Sequence, residues 1–210
     1  MKLALGLLAA MAAWAGDPRV IYTKSFPGSV PAYVSITVER DGATSYKEKE
    51  DDEPETFKIE PDVARHIFEL AGTLNHFKNP LESGLKVANM GQKTLRWENR
   101  EEQSESKFNY SLDENARLLQ DWFERISESE ALMFALRRSV RYDRLGANDA
   151  VLKIHAAWDR KRMVGLEQFL PMLDRIVGNE QYMNMARERA RLLAELFRGA
   201  LAAPAGPPAQ

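Results

Sequence analysis

The spacing of apolar residues changes along the chain. In the first half, apolar and polar positions alternate in short runs that are bounded by turn residues. Alternation with a period of two is typical of strands that bury one face. After about residue 111, apolar residues recur at every third or fourth position, which is typical of amphipathic helices. The pattern therefore predicts a sheet-forming first half and a helical second half.

Six short segments carry strand signals. In the clearest of them, every second residue from Ala32 to Val38 is apolar, and the Asp41-Gly42 turn that follows favours a hairpin. A later run alternates as well, with Lys93 on the same face as Leu95. The predicted strands are 19–26, 32–40, 43–49, 56–59, 92–99 and 103–110.

Helix signals begin at Pro61, because proline is well placed in the first turn of a helix, and the apolar spacing continues to Leu74. Ser111 and Glu114 form a capping box for a second helix. Its apolar stripe continues towards Tyr142, so this helix can cross from the first half into the second, with Gly146 closing it. Three further helices are predicted, capped by Asn148, around Glu167–Val177, and from about Asn179.

Two of these helices have a predicted buried face. In the third helix the face consists of Val151, Ile154, His155 and Trp158. In the fifth it consists of Tyr182, Met185, Ala186, Leu192, Leu193 and Leu196.

Together the elements predict an α+β fold. An antiparallel sheet with two helices is expected in residues 16–127, followed by an all-helical part in residues 128–199. Segregated strands and helices argue against a parallel α/β sheet. Residues 200–210 are rich in alanine and proline, have little to bury, and are expected to be disordered.

Residues 1–15 have the features of a secretory signal peptide. Lys2 precedes the apolar run Leu3–Ala13, and Ala13-Trp14-Ala15 fits the small-x-small rule for signal peptidase. The uncharged stretch is shorter than the about 20 residues that span a bilayer, which disfavours the alternative of a retained anchor. We expect cleavage after Ala15, no transmembrane anchor afterwards, and a periplasmic or secreted bacterial protein.

Composition narrows the functional classes. The chain has 29 basic and 31 acidic residues, so its net charge is close to zero and nucleic acid is not an expected partner. It has no cysteine, which excludes disulfides, thiol catalysis and a lipid-modified N-terminal cysteine. Stability must then come from burial of apolar side chains. We also expect no cofactor and no metal.

A loop-like segment follows the first predicted strand. It has the sequence Phe-Pro-Gly-Ser-Val-Pro-Ala-Tyr at residues 26–33, and it leads into a strand, an Asp-Gly turn and a second strand. This arrangement resembles an uncharacterised bacterial envelope or secreted domain family that has a Cys-Phe-Gly-Thr-Cys-Pro-x-Tyr loop. The matching positions are Gly28, Pro31, Tyr33 and Gly42.

Two positions depart from the family motif, because Phe26 and Val30 stand where the family has cysteines. Their joint loss is what replacement of a disulfide by apolar packing would leave. The resemblance covers about residues 17–127 and implies an α+β fold there. The family has no known function, so the resemblance implies no catalytic residue.

Histidines and carboxylates are the remaining candidates for chemistry. His66, His76 and His155 lack the spacing of a helical metal site, and no HExxH motif accompanies them. His76 and Glu82 lie in the long predicted loop 75–90, where they could meet in space. That loop is a candidate site in its own right, because long ordered loops often carry function.

The second half has a local excess of positive charge. Between residues 137 and 162 there are eight basic and three acidic residues. Arg137, Arg141 and Arg144 share one face of the predicted helix. One interpretation is an anionic partner, such as an acidic protein or lipid headgroups. The favoured alternative is ion pairing with the acidic first half.

The leading hypothesis is an exported, non-enzymatic protein that binds a protein or another envelope macromolecule through the loops 26–31 and 75–90. The candidate binding residues are Pro27, Gly28, Pro31, Tyr33, His76, Glu82, Arg137, Arg141 and Arg144. One alternative is a hydrolase with a non-standard site at His76 and Glu82. Another is a protease-inhibitor-like module that presents the loop 27–31. The sequence assigns no catalytic residue and leaves the partner and the oligomeric state open.

Overall fold

The structure, a computed structural model, describes residues 17–203. The predicted signal peptide lies outside the described residues, and so do residues 204–210 of the predicted tail. Across residues 17–203, no helix combines the length and the apolar character needed to cross a membrane.

In the described part of the chain, six strands form one antiparallel sheet with the order β4-β3-β2-β1-β5-β6. Each predicted strand is confirmed, with ends that differ by at most two residues. The strands are β1 (Arg19–Ser25), β2 (Tyr33–Glu39), β3 (Ala43–Lys47), β4 (Glu55–Lys58), β5 (Gln92–Glu98) and β6 (Gln103–Phe108).

The turn between β2 and β3 shows why this hairpin forms where the sequence predicts it. Gly42 has a φ of 86°, in the left-handed region that favours glycine. A Cβ at this position would lie only 2.6 Å from the carbonyl oxygen of Ile59. Asp41 supports the turn, because its carboxylate accepts a hydrogen bond of 2.9 Å from the N–H of Ala43. The turn sets the register of the pair and therefore decides which side chains face inward.

Two helices, α1 (Pro61–Thr73) and α2 (Glu114–Tyr142), cover one face of the sheet. Tyr22 of β1 stacks on Phe123 of α2 with ring centroids 5.0 Å apart. Phe68 of α1 meets Trp97 of β5 edge to face at 5.7 Å. All four side chains belong to one hydrophobic cluster. Burial of a phenylalanine side chain such as Phe123 contributes about 1.5–3 kcal/mol.

The second half of the chain adds α3 (Ala147–Asp159), α4 (Leu170–Val177) and α5 (Asn184–Ala202). They surround a second hydrophobic cluster with the C-terminal half of α2, and this cluster includes Leu136, Leu173 and Phe197. The Tyr182 hydroxyl donates a hydrogen bond of 3.1 Å to the carbonyl oxygen of Val140, which ties the segment before α5 to the end of α2.

The predicted fold organisation, a sheet with two helices followed by an all-helical part, is wrong. The structure is of the α+β class, but the five α-helices of residues 17–203 do not divide into two groups, because α2 is one continuous helix of 29 residues. Leu119 and Phe123, in its first half, belong to the hydrophobic cluster that packs on the sheet, called the sheet cluster below. Leu136 and Val140, in its second half, belong to the cluster that α3, α4 and α5 surround, called the helical cluster. The assignment of 16–127 and 128–199 to separate domains stays a prediction.

The cap of α2 also differs from the prediction. The helix begins at Glu114, and the carboxylate of Asp113 accepts hydrogen bonds from the N–H groups of Asn115 and Ala116, at 2.8 and 3.1 Å. Ser111 is not the cap. Its hydroxyl accepts a hydrogen bond of 3.3 Å from the N–H of Asp113 and so supports the residue that caps the helix.

Two later helices begin at other residues than predicted. Gly146, not Asn148, precedes α3. The helix α5 begins at Asn184, and the residues it buries are Ala186, Ala190, Leu193, Ala194 and Phe197. Met185 and Leu192, which the pattern places in the core, are exposed. Each lies one position off the buried stripe, so the apolar pattern is broader than the face that packs.

The segment that precedes α4 ties the helical half to the sheet. Glu60, at the start of α1, accepts hydrogen bonds from the N–H groups of Gly165 and Leu166, at 2.9 and 2.8 Å. Ser129 of α2 accepts one of 3.0 Å from the N–H of Val164. The Val164 side chain is buried in the sheet cluster. Backbone polar groups of the helical half are thus satisfied by side chains of the first half and of α2.

We expect Glu60→Ala to lower the free energy of unfolding by about 1–3 kcal/mol, because two backbone N–H groups lose their acceptor. Glu53→Ala is the matched control. It removes the same charge from an exposed glutamate whose side chain makes no hydrogen bond or ion pair within the described residues. Urea unfolding measures both variants, and equal stabilities would contradict the role given to Glu60.

Candidate functional site

The loop between β1 and β2 is held by its own hydrogen bonds. The N–H of Phe26 donates to the carbonyl oxygen of Ala32 at 2.8 Å, and the N–H of Ser29 donates to that of Phe26 at 3.0 Å. The Ser29 hydroxyl lies within hydrogen-bond distance of the carbonyl oxygens of Phe26 and Pro31, at 2.8 and 2.6 Å. Val30 lies at the tip with a relative exposure of 101%. The loop therefore presents an apolar side chain on a defined backbone.

Three cavities surround this loop. Two of them, of about 340 and 520 Å³, share the lining residues Lys24 and Glu124, and together they are called the α2 groove below. The third, of about 540 Å³, is called the outer cavity, and it shares Pro31 with the smaller part of the α2 groove. The loop is thus the wall between two concave surfaces.

The outer cavity brings three of the predicted binding residues together, namely Pro27, Pro31 and Tyr33. The acidic segment that follows β3 contributes Glu48 and Glu50 to the lining. Gly28 lies in the same loop with a φ of 92°, and, apart from its chain neighbours, no atom of residues 17–203 lies within 4 Å of the position that its Cβ would take. These four positions therefore share one exposed region.

His76 and Glu82 are not brought together. The His76 ring stacks on Trp97 with centroids 4.1 Å apart, and its carbonyl oxygen accepts a hydrogen bond from Ser104. The Glu82 carboxylate accepts a hydrogen bond of 2.6 Å from the N–H of Asn109, which lowers the pKa of Glu82. Asn109 lies five positions after Ser104 along an extended chain, which corresponds to a distance of about 17 Å. A hydrolase centred on this pair has no support in this geometry.

The loop 75–90 lies along β6 at the edge of the sheet. The N–H of Leu81 donates to the Ser106 hydroxyl at 2.9 Å, and the N–H of Ser83 donates to the carbonyl oxygen of Tyr110 at 2.9 Å. A loop that lies along an edge strand hinders the pairing of that strand with another chain. The loop therefore has a structural role, and its role in partner contact stays a prediction.

The three predicted arginines do not form one cationic surface. Arg137 makes an ion pair of 2.7 Å with Glu55 of β4. Arg141 lies over the ring of Tyr142. Arg144 follows the end of α2, so it is not on the helical face that the sequence predicts. Part of the local positive charge is therefore used to hold the helical half against the sheet.

The α2 groove contains two lysines that the sequence patterns did not mark as site residues. Lys24 of β1 and Lys93 of β5 are direct cross-strand partners. Lys93 is only 2% exposed. Its ammonium group donates to the carbonyl oxygens of Asn109, Gly91 and Met90, at 2.7, 3.4 and 3.5 Å. Within residues 17–203, Lys24 makes no hydrogen bond or ion pair.

The sequence contains a signal for this pair. Lys93 shares its face with Leu95, and Lys24 follows Val20 and Tyr22 with the same period of two. A lysine at an inward position of a strand is unusual, because its charge needs a partner there. Burial, followed by the charge of Lys24, lowers the pKa of Lys93. The carboxylates of Glu124 and Glu82 act on this pKa in the opposite direction, and neither forms an ion pair with Lys93.

Tyr22 adds an unsatisfied polar group to the groove. Its side chain is buried, and its hydroxyl has no hydrogen-bond partner within the described part of the chain. Burial, followed by the charge of Glu124, raises the pKa of Tyr22, so the phenol keeps its proton. Buried hydroxyls nearly always have a partner. Tyr22 lines the smaller part of the groove, so an acceptor that enters there could satisfy its hydroxyl.

No protein-family model matches the chain, and no curated protein is significantly similar to it. The resemblance of the loop 26–33 to an envelope domain family therefore stays a prediction. In the range 17–203, no three histidine, aspartate or glutamate side chains are placed so that they could hold a metal ion.

Glu130 of α2 is a buried carboxyl outside the groove. Its Oε1 accepts a hydrogen bond of 2.5 Å from Nε2 of Gln168. Its Oε2 and the Oε1 of Gln168 are both buried without a partner among the described residues. Burial raises the pKa of Glu130 to about 7. A proton on Glu130 supplies the missing donor between the two side chains, so we interpret the pair as a neutral acid bonded to an amide.

The charges near Glu130 come from three elements. Arg137 of α2 lowers the pKa of Glu130, and Glu55 of β4 raises it, while these two residues pair with each other. Tyr46 of β3 is also nearby, and burial raises its pKa. The pKa of Glu130 is therefore raised because the effect of its burial is larger than the effects of these charges.

Glu130 is expected to make the protein less stable as the pH rises. Below about pH 4.5 Glu130 is protonated in the folded and the unfolded state, and its contribution to the free energy of unfolding is fully present. Between that pH and about 7 the unfolded chain releases the proton first, so the free energy of unfolding falls. Above the pKa that Glu130 has in the folded protein, the loss of free energy of unfolding is complete, at about 3 kcal/mol.

Urea unfolding from pH 5 to pH 8 measures this loss. We expect Glu130→Gln to remove most of it, because an amide pairs with Gln168 as the neutral acid does. Glu53→Gln, at an exposed position, is expected to keep the wild-type profile. Parallel pH profiles for Glu130→Gln and the wild type would contradict the neutral pair.

Proposed function

We propose that this chain is a non-enzymatic protein that binds an extended segment of another polypeptide in the α2 groove. The observation that carries the proposal is Val30, a fully exposed apolar side chain on a hydrogen-bonded loop at the edge of the groove. Apolar anchors on a defined backbone are typical of binding loops. The groove continues with apolar Val34 and Phe123, next to polar Lys24 and Glu124, and this mixture suits a polypeptide ligand.

The proposal includes export to the periplasm or medium of a bacterium. It rests on the signal-peptide pattern of residues 1–15 and on the absence of cysteine in the chain. The intact mass of protein recovered from these fractions tests it. A mature chain that begins at Gly16 is the expected result, and a chain that keeps Met1 would contradict it.

Selection from a random peptide library displayed on phage tests the binding function. Peptides enriched on the wild-type protein are expected to lose at least tenfold in affinity with Val30→Asp, a loss of about 1.4 kcal/mol or more. Leu145→Asp is the matched control, because Leu145 is 75% exposed in the turn between α2 and α3 and lies outside the groove. Failure to enrich peptides, or equal affinity for the wild type and Val30→Asp, would contradict the proposal.

A second candidate function is inhibition of a protease by the same loop. The exposure of Val30 on a hydrogen-bonded loop favours it, because inhibitors offer a protease a side chain on a preorganised backbone. Elastase-type proteases, which cleave after small apolar residues, are the appropriate probe. Inhibition that Val30→Asp abolishes and Leu145→Asp leaves intact would support this candidate, and absence of inhibition by the wild type would exclude it for this class of protease.

A further inference from the structure

We propose that the α2 groove binds a carboxylate of its polypeptide partner, at the cavity lined by Lys24, Lys93 and Arg117. The carboxylate is that of an aspartate or glutamate side chain or of a C-terminus. This inference rests on the proposed function and adds the chemistry of the partner. Three observations carry it: the charges of the cavity, the unpaired Lys24, and the unsatisfied Tyr22 hydroxyl.

The larger part of the groove is lined by three cationic side chains and one carboxylate. Lys24 and Lys93 come from adjacent strands, and Arg117 comes from the first turn of α2. The single carboxylate is Glu124, which already accepts a hydrogen bond of 2.8 Å from Gln120. A concave surface with an excess of one charge concentrates ligands of the opposite charge.

The three cationic side chains of this cavity differ in their hydrogen-bond and ion-pair partners. Lys93 is bonded to three backbone carbonyl oxygens, and Arg117 makes a long ion pair of 3.8 Å with Glu114. Lys24 is half-buried and has neither a hydrogen bond nor an ion pair within residues 17–203. Its cross-strand partner is the buried Lys93. Like charges directly opposite each other destabilise a sheet, and a bound anion would remove that repulsion.

Tyr22 extends the site into the smaller part of the groove. It lies two residues before Lys24 on the same face of β1, and both residues line that cavity. Its protonated hydroxyl has no partner among the described residues. A carboxylate has two oxygens, so one can accept from Tyr22 while the other pairs with Lys24. The apolar walls from Phe26 and Met90 leave room for the aliphatic part of an acidic residue.

The experiment uses the full chain and two small probes. They are glutamate blocked as the N-acetyl N-methylamide, and the glutamine compound blocked in the same way. Blocked glutamate is expected to cause saturable NMR shifts at the backbone amides of Tyr22, Lys24 and Lys93. The glutamine compound, which has the same shape without the charge, is expected to cause none. Equal shifts with both probes would overturn the proposal.

Lys24→Gln is expected to weaken binding of blocked glutamate at least tenfold, because it removes the groove cation that has no hydrogen bond or ion pair within residues 17–203. Lys153→Gln, at an exposed lysine of α3, is the matched control and should bind as the wild type does. In low-salt buffer without the probe, Lys24→Gln should have a thermal midpoint at least as high as the wild type, because repulsion of Lys93 is relieved. Unchanged affinity in a folded Lys24→Gln would overturn the proposal.

Inorganic phosphate is the third probe, and it separates two anion chemistries. Binding of phosphate at the same amides without binding of blocked glutamate would make this a phosphate site and the carboxylate assignment wrong.

The phage selection separates this inference from the proposed function. Enriched peptides without an acidic residue or a free C-terminus would leave the function standing and overturn the carboxylate. Blocked glutamate that binds when no peptide is enriched would overturn the polypeptide partner.

Discussion

The apolar stripe of α2 is the feature on which the rest of the structure depends. Leu119, Phe123 and Ile126 pack against the inward face of the sheet, and Leu136 and Val140 pack in the helical cluster. A straight helix of 29 residues is about 44 Å long, which allows two clusters to use different turns of one rod. The side chains that α2 contributes to the groove are therefore held by packing at both ends of the helix.

Polar pairing specifies the point where α2 passes from one cluster to the other. Ser129 and Glu130 are fully buried there, and each is matched by the segment before α4, through Val164 and Gln168. Apolar side chains at these positions would tolerate sliding of the two halves, whereas directional hydrogen bonds permit few arrangements. Glu60 adds two such bonds from the sheet side. The halves are therefore joined in one defined arrangement.

The sheet was predictable from sequence because its strands alternate and its hairpin turn requires glycine at position 42. The cap of α2 was less predictable, because Ser111 and Asp113 are both good N-cap residues and only the structure shows that Asp113 accepts the hydrogen bonds of the first turn. The site was largely missed. Lys24 and Lys93 are far apart in sequence, and only the pairing of β1 with β5 places them side by side. His76 and Glu82 are close in sequence, but their loop runs along β6, so that they lie beside Ser104 and Asn109 and not beside each other.

The opposed lysines identify the groove as a place where folding and binding favour different side chains. Position 24 continues an inward series after Val20 and Tyr22, and its other cross-strand neighbour is the buried Val34. An apolar residue there would extend the core and remove a like-charge contact. A lysine at that position lowers stability in the free protein, and an anion that enters the groove offsets the cost. Local rules of folding are commonly broken at sites that bind ligands. Lys24 places a charge at an inward position of a strand, and Tyr22, two residues earlier on the same face, has a buried hydroxyl without a partner among the described residues.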